Sequence, residues 1–130
     1  MLNLCGEAKS AAFLQNKWVQ VSIYRSRMLS FIKNYDVILS PVNALPAIEH
    51  GKCFDTETIP AFSYGIAHNL TGWPSIVVRC GTSNEGLPVG VQAVAQPWRE
   101  DVAIAVAKHL ENVLGGYERP DVPAQTSTAH

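Results

Sequence analysis

From residue 7 to residue 33 the chain contains neither Pro nor Gly, and apolar side chains recur at steps of three and four: Leu14, Trp18, Val21, Tyr24, Met28 and Phe31 or Ile32. That spacing lines one side of a helix and predicts a single long amphipathic α-helix. Asn34 ends the pattern. Asp36-Val37-Ile38-Leu39-Ser40-Pro41 follows as a short apolar run stopped by proline, which predicts an interior strand with both faces buried. Between Pro41 and Pro60 there is no period, and Pro46, Gly51 and mixed polar residues predict a long surface loop.

Residues 61–69 fit a short helix, closed by Thr71-Gly72-Trp73-Pro74, where glycine permits a left-handed turn and proline forbids continuation. Ser75-Ile76-Val77-Val78-Arg79-Cys80 and Val89-Gly90-Val91-Gln92-Ala93-Val94-Ala95 are β-branched runs on either side of a Gly-rich segment, residues 81–86, and predict a hairpin. Asp101 offers a carboxylate cap to a second long helix, whose stripe is Val102, Val106, Leu110 and Val113 and whose stop is Gly115-Gly116. The segment from residue 117 to residue 130 reads as a frayed tail. The predicted fold is α/β, a mixed β-sheet covered by helices. Three strands and two long helices leave a sheet edge bare, so the chain reads as part of something larger.

Composition narrows the class. With 130 residues, 47% hydrophobic and 16% charged, the chain has the apolar content for one folded core and is too short for two full domains. Its formal charge is −1 and its basic residues are scattered, which argues against nucleic acid and anionic lipid as partners. The longest strictly apolar stretch runs from Val102 to Ala107, far short of the roughly 20 residues a membrane helix needs. No signal-peptide pattern follows Met1, and Cys5, Cys53 and Cys80 are odd in number and widely spaced; both features point to the cytoplasm and reduced thiols. For the same reason Asn69-Leu70-Thr71 reads as a chance match to a glycosylation acceptor.

The chemistry-bearing residues form no self-contained active site. Gly81-Thr82-Ser83-Asn84-Glu85-Gly86 imitates a nucleophile elbow, but its flanks are two strands, so Ser83 reads as a turn residue. His50 and Cys53 lack the further ligands a zinc site needs, and no metal or other cofactor is expected. His68, near the end of the short helix, can serve as an acid or base near neutral pH, though a helix-end histidine bonded to backbone explains it as well. Trp73 suits a packing anchor better than a substrate platform. His109 and the Glu100-Asp101 pair complement the two ends of their helix.

Order and spacing carry more than any single residue. Asp36-Val37-Ile38-Leu39-Ser40-Pro41 with Pro46-Ala47, Asn69-Leu70-Thr71-Gly72-Trp73-Pro74-Ser75, Gly86-Leu87-Pro88-Val89-Gly90-Val91-Gln92 and the helix from Asp101 together resemble the C-terminal region of the amidase signature family, over residues 33–114. The resemblance implies an incomplete part of that family's αβα fold, a small-molecule amide as substrate, and hydrolysis by a serine, a second serine in a cis peptide linkage and a lysine. The triad's Gly/Ser-rich region has no counterpart here, and Lys9, Lys17, Lys33, Lys52 and Lys108 stand in no such setting, so no catalytic residue is assigned. The expected partner is the missing N-terminal amidase portion or a second copy. An interaction module that completes a separate triad-bearing chain is the alternative, as is the glutamine-hydrolysing subunit of a tRNA-dependent amidotransferase. In such subunits an acidic residue holds the glutamine amine, and Phe62 stands in the matching place. Phe62, His68 and Trp73 are thus the candidate substrate-binding residues. Asn69, Gly72, Pro74, Gly86, Pro88, Gly90 and Gln92 are the structural motif residues, with the Asn69 amide expected to satisfy backbone groups.

Overall fold

The computed structural model describes residues 8–119. Its first helix, α1, spans Ala11–Ile32 and begins where it does because the Ser10 hydroxyl accepts the Phe13 amide at 3.2 Å. The expected stripe divides. Ile32 is buried at 1% exposure and Met28 packs beside it, whereas Leu14 and Trp18 stand 54% and 67% exposed. Of the two residues left open at the stripe's end, Ile32 faces the core and Phe31 faces out, stacked obliquely on Tyr35. Strand β1, Val37–Pro41, follows. The loop after it is pinned by turns, with the Thr58 hydroxyl donating to the carbonyls of Lys52 and Asp55 at 2.6 and 3.0 Å. A 3-10 turn, Ile59–Phe62, runs into helix α2, Ser63–Thr71. Gly72 caps α2 in the left-handed region at φ 71°.

Strands β2, Ser75–Thr82, and β3, Pro88–Ala95, form the predicted hairpin, and the sheet order is β1-β3-β2 with both ladders antiparallel. The interior position therefore belongs to β3, and β1 sits at an edge with Leu39 half exposed. An apolar run reports what wants covering, not the order of strands, which long-range pairing decides. Helix α3, Glu100–Leu114, lies against β2 and β3. Its buried residues are Ala103 and Ala107, while Val113 is exposed: the close approach of helix to sheet selects small side chains over the bulkier stripe. Asp101 does not cap the helix. It lies inside the first turn, bonded to Arg99 at 2.9 and 3.0 Å, and that hydrogen bonding holds its carboxyl below the usual range.

The core consists of Ile32, Trp73 and Val94, with Met28 and Ile38 packed around them. Val94 shares a sheet face with Gln92, two residues away, and Gln92 is 4% exposed. The Gln92 amide nitrogen donates to Ser40 Oγ and to the Pro41 carbonyl, each at 3.0 Å, and its carbonyl accepts from Ser75 Oγ at 3.4 Å. One side chain thus joins β1, β3 and β2. Outside the sheet, Tyr24 Oη donates to the Ala67 carbonyl and Arg25 Nε to the Leu70 carbonyl, docking α1 on α2. No helix among the described residues is long and apolar enough to cross a membrane.

Candidate functional site

The motif residues separate into those that build the frame and those that line open space. Gly90 lies on the central strand beneath Val77 and Val42: a Cβ there would come within 3.0 Å of Val77 Cγ1 and 3.2 Å of Val42 Cγ2. Its bare backbone is what lets those side chains cross the sheet. Together with Pro46, Pro88 and Asn43 these residues line a groove of about 310 Å³, bringing the Pro46-Ala47 and Pro88-Val89-Gly90 strings together from distant parts of the chain. Asn43 Oδ1 is enclosed there without a hydrogen-bond partner among the described residues. Asn43, Val42 and Val77 were not singled out by sequence reasoning, because no local pattern marks a residue whose neighbours arrive from other segments.

At the opposite end of the sheet, a second groove of about 300 Å³ opens between α1, the Gly72-Trp73-Pro74 turn and the Pro97-Trp98 turn. Trp73 contributes one edge to it but is otherwise core, at 8% exposure. The backbone bonding expected of Asn69 is done by Thr71, whose hydroxyl donates to the His68 carbonyl at 2.7 Å and accepts the Trp73 amide at 3.4 Å. Asn69 itself is exposed and its amide has no partner among the described residues. A threonine near the helix end reaches the free carbonyls there, where Asn69 faces outward.

His68 is half-buried on α2. Its carbonyl accepts the Gly72 amide at 3.1 Å, yet its ring Nδ1 is enclosed without a partner among the described residues, contrary to the expected ring-to-backbone bond. Burial pushes the imidazole pKa down, so the ring is neutral at pH 7. Phe62 ends the 3-10 turn and is 37% exposed. Neither Phe62 nor His68 lines either groove, so neither groove brings the three candidate binding residues together.

The catalytic inventory is short. Ser83 sits in the hairpin turn, its hydroxyl accepting the Leu87 amide at 3.3 Å, and its hydrogen bonding holds the exposed Glu85 carboxyl below the usual range. Lys9, Lys17, Lys33, Lys52 and Lys108 are all exposed, whereas a lysine general base needs burial to lose its proton near neutrality. His50 is exposed and Cys53 half-buried, and the described residues hold no group of three or more His, Cys, Asp or Glu placed to bind a metal. Cys5 lies outside the described residues. What the two grooves offer is shape and apolar wall.

Known proteins match this arrangement. A family model described as Amidase matches residues 2–103. The chain is similar to a fatty acid amide hydrolase of Arabidopsis thaliana, 25% identical over 122 residues, covering 85% of this chain and 20% of that protein. It is 36% identical over 93 residues to a glutamyl-tRNA(Gln) amidotransferase subunit of Brevibacillus brevis, covering 69% of this chain and 19% of that one. Among solved structures, a 6-aminohexanoate cyclic dimer hydrolase superposes with a TM-score of 0.74 at 22% identity, over 81% of this chain and 25% of that chain. The corresponding glutamyl-tRNA(Gln) amidotransferase subunit of Thermotoga maritima does so with a TM-score of 0.66 at 30% identity, over 78% and 24%. The chain spans a fifth to a quarter of these relatives.

Proposed function

The chain belongs to the amidase family, and from that premise we propose that it is the C-terminal part of an amidase hydrolysing a carboxamide to a carboxylic acid and ammonia or an amine. The observation that carries this reading is the family match over most of the chain, coupled with a superposition of the fold on only a quarter of a solved 6-aminohexanoate cyclic dimer hydrolase. The serine, cis-serine and lysine of the reaction belong to the portion of the fold that this chain does not include. Its own contribution is frame and wall: the sheet locked by Gln92, and Phe62, His68 and Trp73, which neither groove of this chain brings together, as side chains for a pocket that the completed fold would close. Chemistry supports that division, since every lysine here is exposed and Ser83 is engaged in its turn.

Phe62 favours amides with apolar or aromatic groups, because desolvating a charged amine against a phenyl ring costs several kcal/mol without a partner. The fatty acid amide hydrolases among its relatives carry the name of such a substrate. A second reading, the glutamine-hydrolysing subunit of an amidotransferase, draws on the 36% identity to one such subunit. In the completed enzyme, kcat/KM for an apolar amide and for glutamine, measured with Phe62 and with Phe62→Asp, separates them. A changed ratio places Phe62 at the pocket, equal losses mark damaged packing, and preference for glutamine in the unsubstituted enzyme establishes the second reading. Purified alone, the chain is expected to leave small aryl and alkyl amides at the buffer-blank rate. Turnover abolished by Ser83→Ala or His68→Ala would sink the proposal.

A further inference from the structure

The apolar run Ile76-Val77-Val78 on β2 is followed by an arginine. Arg79 stands where the register with β3 shifts, between Arg79 and Gly81, a bulge of the kind that re-aims a side chain. That side chain is 19% exposed, so its guanidinium is largely out of water and requires partners. Nη2 donates to Thr82 Oγ1 and to Glu118 Oε2, each at 2.8 Å. Thr82 is a neighbour on the same strand. Glu118 arrives from beyond α3, two residues past a Gly115-Gly116 turn whose φ angles, 93° and 71°, both lie in the left-handed region that glycine permits.

A groove of about 430 Å³ surrounds this ion pair. One wall is the end of the hairpin, with Arg79, Thr82, Gly86 and Pro88. The turn there is closed by the Ser83 amide on the Leu87 carbonyl at 2.8 Å and the Gly86 amide on the Ser83 carbonyl at 3.0 Å. The other wall is the strap after the glycines, with Tyr117, Glu118 and Arg119. Arg119 has no partner among the described residues, and two arginines against one glutamate leave the lining a positive charge in excess.

We propose that this groove binds a small monocarboxylate with an apolar body, and that Glu118 is its internal occupant, held there by a strap hinged at Gly115-Gly116. Glu118 itself shows that a carboxylate reaches Arg79 at hydrogen-bond distance. Its hold is partial, since one oxygen meets one nitrogen, whereas a free carboxylate can take the guanidinium with both oxygens. The Glu118 side chain is already 67% exposed, so leaving Arg79 returns it to water at little cost. An ammonium ligand would meet the excess positive charge, and a neutral amide would leave the guanidinium unmatched. Pro88 gives the ligand's body an apolar wall. The inference stands apart from the hydrolytic reading, because it concerns binding alone and needs no triad.

The test titrates the full chain calorimetrically at pH 7 with benzoate, with benzamide as the neutral isostere and inorganic phosphate as the rival anion. A carboxylate tethered by a few residues competes at an effective concentration in about the millimolar range, so removing it reveals the affinity of the bare groove. Glu118→Gln is expected to tighten benzoate about tenfold. In that background Arg79→Leu should weaken it by about tenfold or more, with Arg79→Lys, which keeps the charge but loses the planar fork, in between. Glu57→Gln, which removes an exposed carboxylate from the long loop, should change nothing, and benzamide should not bind. Thermal melts check each variant; if Arg79→Leu loses its cooperative transition, Arg79→Lys decides, and an unchanged affinity there rejects the site. Equal benzoate affinity with and without Glu118, an equal gain from Glu57→Gln, binding that survives the loss of Arg79, benzamide bound as tightly as benzoate, or a preference for phosphate would each overturn the proposal.

Discussion

Gln92 is a polar residue at the centre of a three-stranded sheet, and its worth lies in what its absence would strand. Gln92→Leu preserves much of the volume but leaves the Pro41 carbonyl and the hydroxyls of Ser40 and Ser75 short of a partner. It is expected to lower unfolding free energy by about 1–3 kcal/mol, read from denaturant melts. Gly90→Ala tests the opposite error. Its new methyl meets Val77 and Val42 at 3.0–3.2 Å, so a loss of about 1–3 kcal/mol is expected, with partial recovery when Val77→Ala is added. No recovery would show that backbone conformation, not crowding, governs the position. His68 gives a pH signature. Burial lowers its folded pKa, so on acidification the unfolded chain takes up the proton first, near the usual imidazole value of about 6.5. Stability should be level above pH 7 and fall as pH drops below that value. His68→Gln should flatten the fall between pH 7 and pH 5, and an unaltered slope would show that the ring stays solvated.

Among the elements, α1 joins two unlike halves. Ile32→Ala removes buried core and should cost about 2–4 kcal/mol, whereas Leu14→Ala, on the exposed half, should stay within about 0.5 kcal/mol; thermal melts compare them directly. Helix periodicity alone could not separate these halves, since Leu14 and Ile32 belong to one stripe and differ only in whether the sheet reaches them. The hairpin was legible because its β-branched runs flank a Gly-rich turn in adjacent sequence. The edge position of β1 was not, since it depends on a pairing between Ser40 and Gln92 that no window of sequence contains. The same limit hid the Asn43 groove, which takes residues from three segments, and the alanine face of α3, where small size rather than hydrophobic bulk marks the contact. Gly72, Gly90 and Gln92 were readable because each does its work through its own backbone or amide chemistry.

For the molecule as a whole, the outer edges of β1 and β2 carry no strand partner among the described residues, and large apolar side chains stand exposed on all three helices. The isolated chain is therefore expected to self-associate at micromolar concentration and to bind a hydrophobic dye. A dye-silent monomer with a sharp melt would show that it closes its own core. The strand order also sets a timetable. Ser40 and the Gln92 amide that bonds it are 52 positions apart, while β2 and β3 are joined by a short turn. Closing the long loop carries an entropic cost that the local hairpin avoids, so β2 and β3 should pair first and present a finished edge to β1. During synthesis β1 emerges ahead of β3, its strand partner among the described residues, so that ladder waits until β3 has left the ribosome.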